Sequence, residues 1–362
     1  DRWIGYLRRR GVPCMVFAPS RPRREAEAPS TAERLRSMPF VLYPELRMAV
    51  PHSAAAERKL LDFRPTAIHV ATPFGTGVAG RHLALKHGIP LVASHHTHFV
   101  RYLPFYNLEW LGKLTWRYLN WFHRPCRRVF VPSVSVLEEC GRNGWNGLRI
   151  WSRGIDTSLF HPGVDRGRLL AEAGLAADRF VVLWAGRLAP EKQPEVAIDA
   201  MARFVAAEGG NAALVVAGDG PALAEAKALA ARRGVRALFL GALSQPELQR
   251  WMAASDVLLF PSPTETFGNV VLEAMACGLP VVGADAGAVP DTIRHGANGL
   301  LGRAGDADSF AGELIRLHRD AALRERLAAA GRREAATRSW DDIFGGLLAA
   351  IEEASAAEAS AG

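Results

Sequence analysis

The sequence predicts an α/β protein of two doubly wound parallel-sheet domains facing each other across a cleft. Two observations lead there. Short apolar runs of strand length alternate with helix-length segments throughout, which implies parallel sheets covered by helices on both faces. The pattern also restarts after Phe160-His-Pro162, and 362 residues exceed what one ordinary core organises. The reading is a first domain over 1–162, a second over 163–338, and a last helix within 339–362 packing back across the junction.

In chain order, a helix at Arg2–Arg10 leads into a strand at Val12–Ala18, followed by strands at Ala67–Ala71, Ile89–Ser94 and Arg128–Pro132. Helices at Gly80–His87 and Val134–Arg142 lie between them. A doubly wound domain normally has a strand and a glycine-rich turn ahead of its first helix, so the expectation is that the N-terminal strand and loop are missing here. The second half supplies strands at Phe180–Ala185, Ala212–Ala217, Ala237–Leu240, Val257–Phe260, Pro280–Gly283 and Gly299–Gly302, with a final helix near Trp340–Ala354. Ligands of such sheets sit beyond the carboxyl ends of the strands, which puts the site in the cleft.

The most informative segment follows the Val257–Phe260 strand. Pro261, Ser262 and Pro263 end the strand; Gly268 and Asn269 open a helix that stops at Cys277-Gly-Leu-Pro280. The free N–H groups of that first turn form an anion site suited to phosphate. Glu265 on the turn and Glu273 in the helix, eight residues apart, can each reach one end of a ligand lying over the helix start. A diphosphate between two sets of hydroxyl groups is a nucleotide sugar. Taken alone, the two glutamates are equally a helix-dipole partner and a solvated helix face.

Ala185-Gly-Arg-Leu-Ala-Pro-Glu-Lys192 follows the first strand of the second half. Gly186 permits close backbone approach, and Arg187 and Lys192 sit where a diphosphate needs positive charge, although in isolation both are ordinary surface residues. Gly218-Asp-Gly-Pro221 reads as a structural turn. In Ser94-His-His-Thr-His-Phe99, three histidines lack a carboxylate or cysteine at ligand spacing, so one imidazole facing a sugar is favoured over a metal site.

Apolar content of 49% with 22% charged residues is that of a globular chain, not a disordered one. No run is long enough to span a bilayer and no signal peptide is recognisable, while four scattered cysteines suit a reducing, cytoplasmic setting. Charge is uneven: residues 1–162 carry a net +13 and residues 163–362 a net −6. The basic half calls for an anionic partner. Trp110, Trp116 and Trp121, flanked by Lys113, Arg117 and Arg124, suit the headgroup region of an anionic membrane; an aromatic core helix is the competing reading. No nucleic-acid recognition motif is present, and nucleic acid is not expected as a partner.

Together, the Glu265-x7-Glu273 segment, Gly186-Arg-…-Glu-Lys192, Gly218-Asp-Gly-Pro221 and Arg153-Gly-Ile-Asp-Thr-…-Phe160-His-Pro162 resemble a family 4 retaining glycosyltransferase of the GT-B fold. The run from His95 through Trp110 and Trp151-Ser-Arg-Gly-Ile-Asp156 is most similar to GDP-mannose-dependent α-mannosyltransferases acting on glycolipids, with sulfoquinovosyl-diacylglycerol synthases as near relatives. The resemblance implies that Arg187 and Lys192 hold the donor diphosphate with backbone N–H groups near Phe267, Gly268 and Asn269. It further implies that Glu273 binds the ribose, that Glu265 binds the donor sugar, and that His96 touches the sugar from the first domain. His95 stands where relatives often carry Tyr, and Gln193 where many carry Gly.

Transfer with retention, without cofactor or metal, from a nucleotide-sugar donor to a lipid or glycolipid acceptor is the expectation. The enzyme would be peripheral on the inner face of the cytoplasmic membrane. Two alternatives stay open: a UDP-sugar donor, including UDP-sulfoquinovose, and a catalytically silent protein that binds nucleotide sugar or membrane. In the family the missing N-terminal loop lines the diphosphate and acceptor side, so impaired activity of this chain is also expected.

Overall fold

A computed structural model describes residues 2–20, 32–35, 37–40, 43–49, 54–97 and 99–359. In the first half the strands are β1 (Val16–Pro19), β2 (Ala32–Leu35), β3 (Ser37–Phe40), β4 (Tyr43–Ala49), β5 (Ile68–Val70), β6 (Leu91–Ser94), β7 (Arg128–Val131) and β8 (Leu148–Ile150). In the second they are β9 (Phe180–Ala185), β10 (Ala212–Ala217), β11 (Ala237–Gly241), β12 (Val257–Phe260), β13 (Val281–Ala284) and β14 (Leu300–Gly302).

The second half forms one six-stranded, all-parallel sheet in the order β11-β10-β9-β12-β13-β14. Its central strands are apolar at every position because helices cover both faces; β9, β10, β12 and β13 are buried throughout. One face packs under the Pro194–Glu208 and Ala307–Arg319 helices around Met201, Phe204, Phe310 and Leu314. The other packs under the Gln245–Ala254 and Asn269–Ala276 helices around Met252, Val271 and Leu272. Burying each such side chain contributes roughly 1.5–3 kcal/mol. The strand order reverses between β9 and β12, and in an open parallel sheet that switch point is where the crevice for a ligand opens.

The first half carries a four-stranded parallel sheet, β5-β6-β7-β8. The expected Val12–Ala18 strand is shorter and shifted, and it joins no strand of this sheet. As β1 it pairs with β2 in a separate parallel pair, and β3 pairs antiparallel with β4. Pro13 and Cys14 lie in irregular backbone ahead of β1, and because proline cannot donate to a sheet ladder the strand starts later than the apolar run.

The Arg2–Arg9 and Trp340–Ala359 helices close the junction. The Tyr6 and Phe344 rings meet at a tilt with centroids 5.6 Å apart, in one cluster with Val92, Phe130, Trp151 and Leu347, so the last helix rests on the first-domain sheet at β6 and β7. Polar contacts also join the two halves: the Ser135 backbone N–H and hydroxyl both donate to Asp291, at 2.9 and 2.7 Å.

Candidate active site

The chain leaves β9 at Gly186. Arg187 is exposed, and Leu188 and Ala189 turn back into the core ahead of a 3-10 turn at Pro190–Lys192. The β10 turn lies flat against this loop: Gly186 N–H donates to Ala217 O at 3.0 Å, and Leu188 N–H to Asp219 O at 3.0 Å. A Cβ at Gly218 would overlap the Gly186 carbonyl, and one at Gly220 the Leu188 carbonyl. Gly218-Asp-Gly-Pro221 is therefore a packing device that holds the Arg187 loop in place. Gln193 takes left-handed backbone, φ 50° and ψ 52°, between the 3-10 turn and the Pro194–Glu208 helix. Glycine meets that geometry without the roughly 1–2 kcal/mol that a Cβ adds.

Beyond β12, Ser262 and Thr264 are buried, and the Thr264 hydroxyl donates to Glu191 O at 3.3 Å, tying the two switch-point loops together. The result is that Lys192 Nζ meets Glu265 Oε1 at 2.5 Å, with both side chains largely buried. Gly268, at φ 85°, starts the Asn269–Ala276 helix, and Phe267 packs inward beneath it. A support absent from the sequence reading is Gly287: Ala288 N–H donates to Glu265 O at 2.9 Å. A Cβ on Gly287 would come within 2.9 Å of that same oxygen.

Glu273 lies on the second turn of that helix. Burial raises its carboxyl to about 7, and the nearby Arg2 charge only partly opposes the shift. The carboxyl is thus largely desolvated and makes no ion pair among the described residues.

From the first domain, His95 turns into the core between His123 and Trp145, with ring centroids at 5.5 and 4.9 Å. His96 points the other way, edge-on to Trp151 at 4.7 Å. Burial, then Arg153, then His69 hold its imidazole neutral, with a pKa lowered to about 3. Its carbonyl oxygen accepts the Thr266 hydroxyl at 2.9 Å, which closes this wall against the Glu265 turn. The Tyr106 hydroxyl likewise crosses to Glu191 Oε2 at 3.2 Å. Tyr102 beside it is raised to about 12 by burial, then by the charges of Glu265 and Glu191. His98 lies outside the described residues. Among the described residues, no three His, Cys, Asp or Glu side chains converge as a metal-ligand set.

Of the residues singled out in the sequence, Lys192 meets Glu265, His96 is joined to the adjoining Thr266, and Gly186, Phe267, Gly268 and Asn269 line the two switch-point loops. Glu273 stands one turn on from Asn269 in the same helix, and Arg187 is exposed on the loop between Gly186 and Lys192. The sequence reading overlooked Glu191, Thr264, Thr266 and Gly287. Their available signal was adjacency to the motifs; Tyr102 and Tyr106 stand shortly ahead of Trp110 in sequence. A cavity of about 480 Å³ lies at the helix junction, lined by Arg2, Asp156, Arg338 and Trp340 among others and by none of the singled-out side chains.

The aromatic stretch needs correction. The three tryptophans do not share one exposed helix: Trp110 sits on a 3-10 turn at Glu109–Leu111, and Trp116 packs on the core against Trp145. Trp110 (73% exposed), Leu114 (60%) and Trp121 (46%) form the surface, with the Arg81 guanidinium over the Trp121 ring at 4.1 Å.

Two parallel α/β sheets, joined by contacts between their loops, place a Lys–Glu pair and a glycine-started helix beside the switch point of the second sheet. Residues 2–159 match the Glycosyltransferase Family 4 pattern, and residues 165–334 the Glycosyl transferases group 1 pattern. The chain belongs to this glycosyltransferase family. It is 31% identical over 348 residues to the sulfoquinovosyl transferase SQD2 of Arabidopsis thaliana, covering 94% of this chain and 67% of that one. It is also 31% identical over 356 residues to a GDP-mannose-dependent alpha-mannosyltransferase of Mycobacterium tuberculosis, covering 96% and 90%. The fold is that of sucrose-phosphate synthase from Thermosynechococcus elongatus, at TM-score 0.82 and 22% identity over 98% of this chain and 92% of that one. The GT-B expectation holds.

Proposed function

We propose that this chain transfers mannose from GDP-mannose to a hydroxyl of a lipid or glycolipid, with retention at the anomeric carbon and without a metal. The observation that carries the proposal is the 2.5 Å approach of Lys192 to Glu265 at the switch point. A cation suited to phosphate and a carboxylate suited to sugar hydroxyls meet there, next to a helix start. The 31% identity to the mycobacterial mannosyltransferase over 90% of its length supports the donor.

In this reading the donor diphosphate lies on the N–H groups near Phe267, Gly268 and Asn269, opposed by Arg187 and Lys192, with Gly186 allowing its approach. Glu273 accepts from the ribose, Glu265 from the sugar, and His96 contacts the sugar from the other domain. The bond from the anomeric carbon to the phosphate oxygen breaks, the acceptor oxygen bonds on the same face, and its proton passes to the departing phosphate. Lys192, Arg187 and the helix start stabilise the developing negative charge where it appears. Contacts of the Thr266–His96 and Tyr106–Glu191 kind hold the domains closed and keep water out.

The basic first half and the exposed Trp110, Leu114 and Trp121 support residence on an anionic membrane surface at its cytoplasmic face. None of the described helices is long and apolar enough to cross a membrane. A uridine donor, including UDP-sulfoquinovose, is the second reading, favoured by the identity to SQD2. Thermal-shift titration with GDP and UDP separates the two; stabilisation by UDP alone selects the second. Labelled GDP-mannose incubated with a lipid extract should give a labelled lipid. Should neither nucleotide bind, the enzymatic reading falls.

A further inference from the structure

We propose that Arg153, Trp151 and His96 form an oxyanion subsite on the first-domain wall of the cleft. It would take a phosphate, carboxylate or sulfonate carried by the donor sugar or by the acceptor. The inference rests on the glycosyltransfer reading above and names a substrate class for it.

Arg153 follows β8 on the segment that crosses between the domains, and its guanidinium lies 5.7 Å from the Trp151 ring centroid. Arg166 meets Asp256 at 2.9 Å and Arg338 meets Glu334 at 3.0 Å, while the partly buried Arg81 and Arg179 donate to the Trp121 and Gly210 carbonyls at 3.2 and 2.7 Å. Among the described residues Arg153 has no such carboxylate, and burial lowers its pKa. A desolvated charge without a counterion is unfavourable for the free protein. Its neighbours do not relieve it. His69 and His96 are both held neutral by burial, at about 4 and about 3.

The unsatisfied groups around it are mostly donors. Trp151 Nε1 is buried without a hydrogen-bond partner, as are both ring nitrogens of His96. A neutral imidazole adds one N–H, the indole one, and the guanidinium a fork of N–H groups. A cation is repelled by this set, and a neutral hydroxyl leaves the guanidinium charge uncompensated. A group with two or three anionic oxygens satisfies the fork and the indole N–H together. The subsite borders the reacting centre, because the His96 carbonyl accepts Thr266, the neighbour of Glu265, at 2.9 Å.

The test uses the full chain as wild type, Arg153→Gln and Arg153→Lys, each saturated with the nucleoside diphosphate that stabilises it. Inorganic sulfate should then add a second, saturable thermal shift in the wild type. Its Kd should weaken at least tenfold in Arg153→Gln and less in Arg153→Lys, while nucleoside-diphosphate binding stays unchanged in all three. A wild type that binds the nucleotide but no sulfate, or an Arg153→Gln variant with unaltered sulfate affinity, overturns the subsite and leaves the transferase reading standing. Absence of nucleotide binding would instead sink that reading. The source of the anion is then assigned by comparing nucleoside-diphosphate hexuronate with the neutral hexose donor. A tenfold preference for the hexuronate, lost in Arg153→Gln, puts the anion on the donor. No such preference, with KM for a phosphorylated acceptor raised tenfold in Arg153→Gln, puts it on the acceptor.

Discussion

Replacing Glu273 by Gln should make the free protein more stable while impairing its function. Burial raises the carboxyl to about 7 from an ordinary 4.5. The unfolded chain therefore loses this proton near pH 4.5, whereas the folded protein keeps it until about 7. Stability contributed by the protonated form is fully present below the unfolded value and declines as pH rises, reaching its floor above the folded value. At about 1.36 kcal/mol per unit, the difference amounts to roughly 3 kcal/mol at pH 8. For a domain of this size that corresponds to roughly 6–12 °C in Tm. Glu273→Gln keeps the shape and removes the ionisation, so melting at pH 5 should match the wild type and melting at pH 8 should exceed it. GDP affinity should fall on the order of tenfold or more, because an ionised carboxylate accepts ribose hydroxyls more strongly than an amide does. Equal pH slopes for the two proteins, or a variant less stable than wild type at pH 8, would refute the assignment of Glu273 as a buried, ligand-awaiting carboxylate. A gain in stability joined to a loss of binding is the usual signature of a site residue.

Three further outcomes are expected. Lys192→Ala should lower turnover by about 10²-fold or more, the scale seen when one preorganised group facing developing charge is removed, with circular dichroism unchanged; near-normal turnover would falsify its role on the diphosphate. Gly287→Ala places a Cβ within 2.9 Å of Glu265 O at φ 61°, so it should destabilise the protein by about 1–3 kcal/mol and reduce transfer; calorimetry and activity both unaltered would show that the Glu265 turn does not depend on this support. Joint replacement of Trp110 and Trp121 by Ala should weaken sedimentation with anionic vesicles, whereas Trp116→Ala should mainly destabilise the core; unchanged sedimentation of the double variant rules out the membrane surface.

Much of the fold was legible because burial on both faces leaves a direct mark on composition. Phe180–Ala185, Ala212–Ala217 and Val257–Phe260 are uninterrupted apolar runs, and their observed bounds are those the sequence predicts. The Gly268 start of the Asn269–Ala276 helix was equally clear, since only glycine enters left-handed backbone freely there. The ends of the Val12–Ala18 strand and the tryptophan stretch were read less well. There the local pattern is weak, and the outcome rests on what the chain packs against: Trp116 meets Trp145, some 29 residues away, and Trp110 meets solvent.

By itself, then, the sequence determined the alternation of strands and helices, the place where each functional loop leaves its strand, and the residue types standing on those loops. Such features depend on neighbours along the chain. Only the tertiary structure decided that β9 and β12 lie side by side, and hence that Lys192 reaches Glu265 across 73 positions of sequence. It also decided that Glu273 is desolvated, that Thr266 locks onto His96, and that Arg153 is partly buried with no carboxylate partner among the described residues. Proton affinity, pairing and exposure are set by atoms brought close through strand order and domain contact, and no local pattern encodes those distances.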